Sequence, residues 1–135
     1  MSAEIKTWQG LETFFFGDSS TMADELGALV VAGTKTASCW SVSQGQQTEV
    51  GKQMVMLDGD DRPWAIIETV ELIQRRFDEV DAAIAHDEGE GDRTLAGWRD
   101  GHRRYFTREG TFAPDMMLWC ERFRLVRVLD RESAR

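Results

Sequence analysis

The sequence is poor in the residues and patterns that metal centres, disulfide frameworks and membrane spans require. It has two cysteines, Cys39 and Cys120, and their spacing is not that of zinc ligands. No apolar run approaches the roughly 20 residues that cross a bilayer, and the first ten residues lack the basic and apolar regions of a secretory signal. We therefore expect a cytoplasmic protein without membrane association whose cysteines are free thiols, with a single disulfide as the alternative.

Cofactor motifs are missing as well. The sequence has no phosphate loop, dinucleotide fingerprint or zinc spacing, so we expect neither a cofactor nor a metal ion. It also has no internal repeat, low-complexity segment or long linker, and 135 residues are about one domain's worth. Residues 1–135 are therefore predicted to form a single domain.

Positive charge is scarce relative to negative charge. The chain has 16 Lys and Arg against 24 Asp and Glu, which gives a formal net charge of −8. A mean field of this sign repels a polyanion, so non-specific binding of RNA or DNA is disfavoured. A local basic patch stays open on two segments, whose arginines are Arg99, Arg103, Arg104 and Arg108, and Arg122, Arg124 and Arg127.

The hydrophobic pattern predicts a mixed α+β domain. Helices are expected over 5–17 (with Trp8, Leu11 and Phe15 on one face), 18–33, 77–89 and 93–106, and strands over 35–42, 52–59, 62–73 and 115–129. Thr21 and Asp24 resemble a capping box, and Gly33 is a natural left-handed residue at a helix end. The apolar phase of the last strand slips near Glu121 and Arg122, which indicates a bulge. These elements predict a small mixed β-barrel with flanking helices.

A lysine and a serine three residues apart, Lys35 and Ser38, follow Gly33 directly. A serine beside a neutral lysine is a nucleophile with its base in some hydrolases. Residues i and i+3 of a strand point to opposite faces, so the pair meets only if a turn at Gly33 and Thr34 brings it together. The alternative is a lysine at a helix end and an ordinary serine in a strand.

The stretch "HDEGEGDR" (86–93) crowds four carboxylates into a loop. Carboxylates this close raise one another's pKa, which suits a general acid, and they also suit a divalent cation. The alternatives are a solvated acidic turn and a helix cap at Asp92 or Thr94.

His102 and Glu68 are single polar residues on apolar faces. Such a residue is more often a core residue with satisfied hydrogen bonds than a catalyst. The aromatic residues near them are expected in the core, with one or two able to stack on a base.

Taken together, these stretches resemble the ASCH domain family, which has a PUA-like fold, and within it the YhfF-like group of small bacterial proteins. The matching stretches are "FGDSSTMADELGALVVAGTKTAS", "VMLDGDDRPWAIIETVEL", "FDEV", "AHDEGEGDRTLAGWRDGHRRYF" and "DMMLWCERFRLV". They cover roughly residues 14–128. The segments G-x-K-T-x-[ST] and E-G-E-G-D-x-[ST]-L-x-x-W are specific in combination.

The resemblance implies a small barrel with a cleft at its mouth. Some small family members are amidohydrolases that remove acyl groups from N4-acylated cytidines with a Lys, a Thr and a Glu. On this chain the Lys is Lys35, the Thr position is Ser38, and the Glu falls on Glu88 with Glu90 as the second choice. Those members have an Arg where this chain has Trp40. The expected substrate contacts are Glu90, Trp40, Arg99 and His102.

The expected reaction is metal-independent amide hydrolysis of a modified nucleoside. Neutral Lys35 would take the proton from Ser38, Ser38 would attack the acyl carbonyl, and Glu88 would protonate or position the leaving amine. The alternative is an RNA-binding module or a ribonuclease, since both functions are also ascribed to the family. RNA therefore stays open as a second partner, and the sequence does not indicate an oligomeric state.

Overall fold

The computed structural model describes residues 10–129, which form one mixed α+β arrangement. The strands are β1 (Glu12–Phe14), β2 (Ala37–Ser41), β3 (Gln53–Leu57), β4 (Pro63–Arg76) and β5 (Met117–Val128). The helices are α1 (Ser20–Val31), α2 (Ala82–Glu88) and α3 (Leu95–Glu109). No helix within this range is both long and apolar enough to cross a bilayer.

The strands form one sheet in the order β1-β3-β4-β5-β2, in which only β1 and β3 run parallel. The α+β class is therefore confirmed. Within residues 10–129 β1 and β2 remain the two edges of the sheet and do not pair with each other, so the predicted closure into a barrel is not confirmed.

The long β4–β5 pair carries two register shifts. One lies between Thr69 and Glu71, opposite Phe123 and Arg122 of β5. The irregularity predicted near Arg122 is therefore present, but the extra residue, Val70, belongs to β4. A bulge bends and twists the strand that holds it. Here it also leaves Val70 exposed.

The helix predicted over 5–17 is wrong over its described part, because Glu12–Phe14 forms β1 beside β3. Phe14 and Phe16 pack into the core while Phe15 is exposed, which is the alternation of an extended chain. Trp8, which the prediction placed on the same helix face, lies outside the described residues.

The other helices agree with the prediction in place but differ at their ends. Helix α1 is capped by Ser19, whose side chain accepts a hydrogen bond from the backbone N–H of Met22, and not by Thr21. Helix α3 begins after the predicted cap Thr94, which accepts from Gly97. The predicted helix over 77–89 is shorter, because it opens with a 3-10 turn at Phe77–Glu79 before α2.

Two apolar clusters lie on opposite sides of β5, because alternate residues of a strand face opposite ways. Leu118 and Cys120 pack with the residues of α2 and α3. Phe123 and Leu125 pack with α1, β3 and β4. The edge strand β2 pairs with β5, and the residues just before β2 and within it line a cleft.

Candidate functional site

The turn after α1 directs Lys35 into the protein. Gly33 has a φ of +82°, its N–H donates to Val30, and the N–H of Thr34 donates to Leu29, which is a Schellman motif. The next residues are fixed from both sides. Thr36 donates its N–H to the carbonyl of Asp87 in α2 and accepts a hydrogen bond from the N–H of Phe123 in β5. The turn that the sequence required after Gly33 is therefore present.

The ammonium of Lys35 is buried, with 1% of the residue exposed. Its Nζ donates to the carbonyl oxygens of Ala37 (2.9 Å) and Glu88 (3.3 Å) and to Oε2 of Glu90 (2.6 Å). The three N–H groups of an ammonium thus have three acceptors. Oε1 of Glu88 lies 3.8 Å from Nζ, and the Phe16 ring lies beneath it at 5.2 Å.

Lys35 is a cation in this setting. Burial opposes its charge, but Glu88 and Glu90 outweigh that effect and raise the pKa of Lys35 above its ordinary value. The expected neutral lysine, which would act as the base for Ser38, is therefore not what the site favours. Lys35 is suited instead to stabilise negative charge.

Glu88 ends α2 and joins Lys35 to His102 of α3. Its Oε1 lies 3.3 Å from Nε2 of His102, and Nδ1 of the same ring lies 2.9 Å from the carbonyl oxygen of Trp98. The imidazole also stacks on the Trp98 indole, with ring centroids 4.1 Å apart. Both ring nitrogens of His102 therefore face acceptors, an arrangement that the doubly protonated imidazolium satisfies.

The charges of Glu88 and His102 stabilise each other. Burial opposes the ionisation of Glu88, but Lys35 and His102 overcome it and lower the pKa of Glu88 to about 2. Burial also opposes protonation of His102, and the hydrogen bond and charge of Glu88 reverse that effect and raise the pKa of His102. Glu88 is thus an ionised carboxylate, and His102 is the group that can give up a proton.

These residues line a cleft with a volume of about 740 Å³, which also contains Ser38, Trp40 and Glu90. The hydroxyl of Ser38 makes no hydrogen bond within residues 10–129, so it is free to contact a ligand. The indole N–H of Trp40 donates a hydrogen bond to the carbonyl oxygen of Gly45. Glu90 is 34% exposed and lies at the open side of Lys35.

Arg99 is the expected contact that the fold does not bring to the cleft. It lines a separate, smaller depression with Phe77, Asp78 and Arg103. The reason is helical phase: His102 and Trp98 face Glu88, and Arg99 lies about 100° further round α3 from Trp98.

A second polar group in the cleft was not predicted from the sequence. Glu121 of β5 is 7% exposed, and its Oε2 accepts a hydrogen bond of 2.6 Å from Thr69, whose hydroxyl lies 2.7 Å from that of Thr48. The phase slip of the last strand was the available signal, because it places a carboxylate on the inward face.

The acidic loop and the cysteines carry no metal centre in the described part of the chain. No group of three or more His, Cys, Asp or Glu side chains there has an arrangement that could hold a metal ion. Cys39 and Cys120 are directly opposite in the β2–β5 register and are free thiols with their sulfurs 3.3 Å apart, as the sequence predicted.

Comparison with known proteins places the chain in a family. A model of the ASCH domain matches residues 12–127. The chain belongs to the ASCH domain family. A search of curated proteins finds no match.

Solved structures of similar proteins have the same fold. Protein EF3133 from Enterococcus faecalis V583 is 34% identical with a TM-score of 0.80, over 90% of this chain and 80% of its own. An ASCH domain from Lactobacillus crispatus JV V101 is 33% identical with a TM-score of 0.78, over 85% and 79%. ASCH from Zymomonas mobilis, at 9% identity and a TM-score of 0.53 over 80% and 68%, shares the fold alone.

Proposed function

We propose that this ASCH domain is an amidohydrolase that removes acyl groups from N4-acylated cytidines or cytosines without a metal ion. The observation that carries the proposal is the buried ammonium of Lys35 in the same cleft as the free hydroxyl of Ser38. A cleft of about 740 Å³ is of the size that encloses a small organic ligand such as a nucleoside.

In the first step, Oγ of Ser38 attacks the acyl carbon, a C–O bond forms, and the carbonyl electron pair moves to the oxygen. Lys35 stabilises this oxyanion with its positive charge. Two of its partners are backbone carbonyls that cannot leave. Glu90 is a half-exposed side chain, and it is the partner that the oxyanion displaces.

In the second step, the C–N bond breaks and the cytosine amine departs with a proton from His102. Glu88 holds the imidazolium in place through its contact with Nε2 and keeps it charged until that transfer. Water then hydrolyses the acyl ester of Ser38, which gives the carboxylic acid and the free enzyme. Glu88 thus positions the proton donor and does not itself supply the proton.

Binding or cleavage of RNA has weaker support. Four of the seven arginines in the candidate basic patches form ion pairs with carboxylates: Arg103 and Arg104 with Asp100, Arg122 with Glu71 and Asp87, and Arg124 with Glu68. A paired arginine must give up its carboxylate before it neutralises a phosphate, which offsets part of the gain.

The test is incubation of the pure protein with N4-acetylcytidine, followed by chromatography for cytidine. Ser38→Ala should lower turnover on the order of 10²-fold or more, and Ser38→Thr should keep it. Lys35→Ala should cost a similar factor, and the double variant should lose little more, because both residues serve one transition state. Ser43→Ala, which removes an exposed hydroxyl outside the cleft, is the matched control.

Two results would count against the proposal. Wild-type protein that leaves every N4-acylcytidine intact but binds RNA would replace the amidase with a binding module. Full turnover by Ser38→Ala would exclude the acyl-serine intermediate and leave activated water as the nucleophile. A chelator should leave turnover unchanged, since no step requires a metal ion.

A further inference from the structure

The protonated state of Lys35 leaves Ser38 without a proton acceptor. Glu88 is held ionised between Lys35 and His102 with a pKa of about 2, which makes it a weak base, and Glu90 accepts the shortest hydrogen bond of Lys35. Four more carboxyl groups line the cleft, those of Asp18, Asp92, Asp100 and Glu121, and of these only Glu121 is buried. It belongs to β5, on the strand that pairs with β2, and it is directly opposite Ser38 in the register.

We infer that Glu121 is the general base that accepts the proton of Ser38, an inference that rests on the proposed amidase function. Directly opposite residues of adjacent antiparallel strands project from the same face, with their Cβ atoms about 4.5–5.5 Å apart. Ser38 and Glu121 both line the cleft, and a glutamate side chain spans that separation readily.

A chain of hydroxyl groups holds the carboxylate in place. Thr69 donates its only hydroxyl proton to Oε2 of Glu121, so the contact between Thr48 and Thr69 has Thr48 as the donor. Thr48 and Thr69 are both buried. Oε1 of Glu121 has no hydrogen-bond partner among residues 10–129 and is not sealed from solvent. One oxygen is thus anchored, and the other remains available to a proton from the cleft.

The surroundings of Glu121 favour proton uptake. Burial raises the pKa of Glu121, while the hydrogen bond from Thr69 and the charge of Lys35 only partly oppose the shift. Lys35, just before β2, is the charged group that acts on it. The loop before β3 and strand β4 present the neutral hydroxyls of Thr48 and Thr69, and β2 presents Ser38. A carboxylate with a raised pKa is a stronger base than an exposed one.

The proton balance of the reaction then closes. Glu121 takes the Ser38 proton as the C–O bond forms, and His102 gives a proton to the amine as the C–N bond breaks. Before deacylation Glu121 passes its proton to His102 by way of solvent. It then accepts a proton from the water that attacks the ester and returns that proton to Oγ of Ser38 as the ester C–O bond breaks. The sum is amide plus water to carboxylic acid plus amine, with no external acid or base consumed.

Glu121→Gln tests this role, since the amide oxygen still accepts from Thr69 and the size is unchanged. We expect kcat for N4-acetylcytidine to fall on the order of 10²-fold or more with little change in KM. The acid limb of the kcat/KM profile, where wild-type activity falls as pH drops through the pKa of Glu121, should disappear. Glu121→Asp should lower kcat but keep the limb, and it also serves if Glu121→Gln does not fold. Glu68→Gln, a glutamate of β4 outside the cleft, is the matched control.

The outcomes separate the two claims. If wild type hydrolyses the substrate and Glu121→Gln keeps its turnover, or loses turnover but keeps the acid limb, then Glu121 is only structural. In that case the inference fails and the proposed function stands. If wild type hydrolyses no N4-acylcytidine at any pH, the proposed function fails and the inference fails with it.

Discussion

At the residue scale, the two glutamates beside Lys35 differ in what their removal leaves behind. Glu88 is 2% exposed and contacts both Lys35 and His102, whereas Glu90 is at the open side of the cleft and contacts Lys35 alone. Removal of a buried carboxylate leaves its buried cationic partners without compensation, whereas solvent can replace a half-exposed carboxylate. We therefore expect removal of Glu88 to disturb the site more than removal of Glu90, although Glu90 is nearer to the ammonium.

Glu88→Gln should abolish most of the turnover and Glu90→Gln should not. The first change removes the charge that keeps His102 protonated, and we expect a loss on the order of 10²-fold or more. It should also lower the free energy of unfolding by about 1–3 kcal/mol, since a buried charge network is left incomplete. Turnover and denaturant unfolding of both variants are the measurements. An inactive Glu90→Gln beside a near-normal Glu88→Gln would reverse the assignment.

The proton donor predicts an alkaline limit to activity. Burial acts against the imidazolium of His102, but Glu88 raises the pKa of His102 above its ordinary 6.5. The donor is present below that raised pKa and is lost as pH rises through it, so kcat should fall on the alkaline side. His102→Asn should lower kcat on the order of 10²-fold and remove this limb. An unchanged alkaline limb in His102→Asn would assign it to another group.

The sequence was informative about which residues meet here and uninformative about their protonation. The resemblance and the helix stripe placed Lys35, Glu88 and His102 at one site, and the fold brings them together. The charge of Lys35 could not be predicted, because it depends on contacts with residues more than 50 positions away. Glu121 was missed because β5 buries Leu118 and Cys120 on one side and Phe123 and Leu125 on the other, so its apolar pattern did not indicate which side faces the cleft.

At the element scale, the site depends on how two helices end. Gly33 follows the end of α1 and Gly89 follows the end of α2, and both glycines have positive φ values, +82° and +74°. The end of α2 lies against the turn after α1: a Cβ on Gly89 would be 2.5 Å from the carbonyl oxygen of Thr34 and 3.0 Å from Cα of Lys35. A Cβ on Gly33 would meet nothing within 4 Å.

Gly33→Ala and Gly89→Ala form a matched pair that separates strain from steric contact. Each should cost about 1–2 kcal/mol for the left-handed backbone. Only Gly89→Ala should cost more than this, and only it should lower turnover, because the clash pushes Glu88 away from Lys35. Thermal unfolding and N4-acetylcytidine turnover give the two readouts. Equal loss of stability with normal activity in both would mean that the contact between the helix ends does not hold the site.

Element prediction succeeded for the long helices and failed for the shortest strand. Helices α1 and α3 have 12 and 15 residues, enough for several turns of an apolar stripe. Strand β1 has three residues, and its identity comes from pairing with β3 rather than from its own pattern. Barrel closure could not be predicted from the sequence either, because it depends on whether the two edge strands meet.

At the scale of the whole molecule, the charge distribution bears on which ligand the cleft can take. The formal net charge is −8, and most arginines of the candidate basic patches are paired with carboxylates. Inside the cleft, by contrast, Lys35 is cationic and His102 is favoured as the imidazolium. Such a surface leaves a neutral nucleoside unaffected on approach and repels a long polyanion.

Salt should therefore have little effect on the turnover of N4-acetylcytidine between about 50 mM and 200 mM, whereas a protein that neutralises six to ten phosphates loses about 10³–10⁵-fold in affinity over that range. The measurements are kcat/KM against salt and a gel-shift titration with single-stranded and structured RNA. Asp100→Asn is the informative control variant, because it frees Arg103 and Arg104 on α3 from their shared carboxylate. Its nucleoside turnover is measured beside that of Glu68→Gln, which frees Arg124 outside the cleft and should leave turnover unchanged, because Asp100 and Arg104 themselves line the cleft. An RNA shift by wild type that weakens steeply with salt and survives Lys35→Ala would make the polyanion the ligand and the nucleoside incidental.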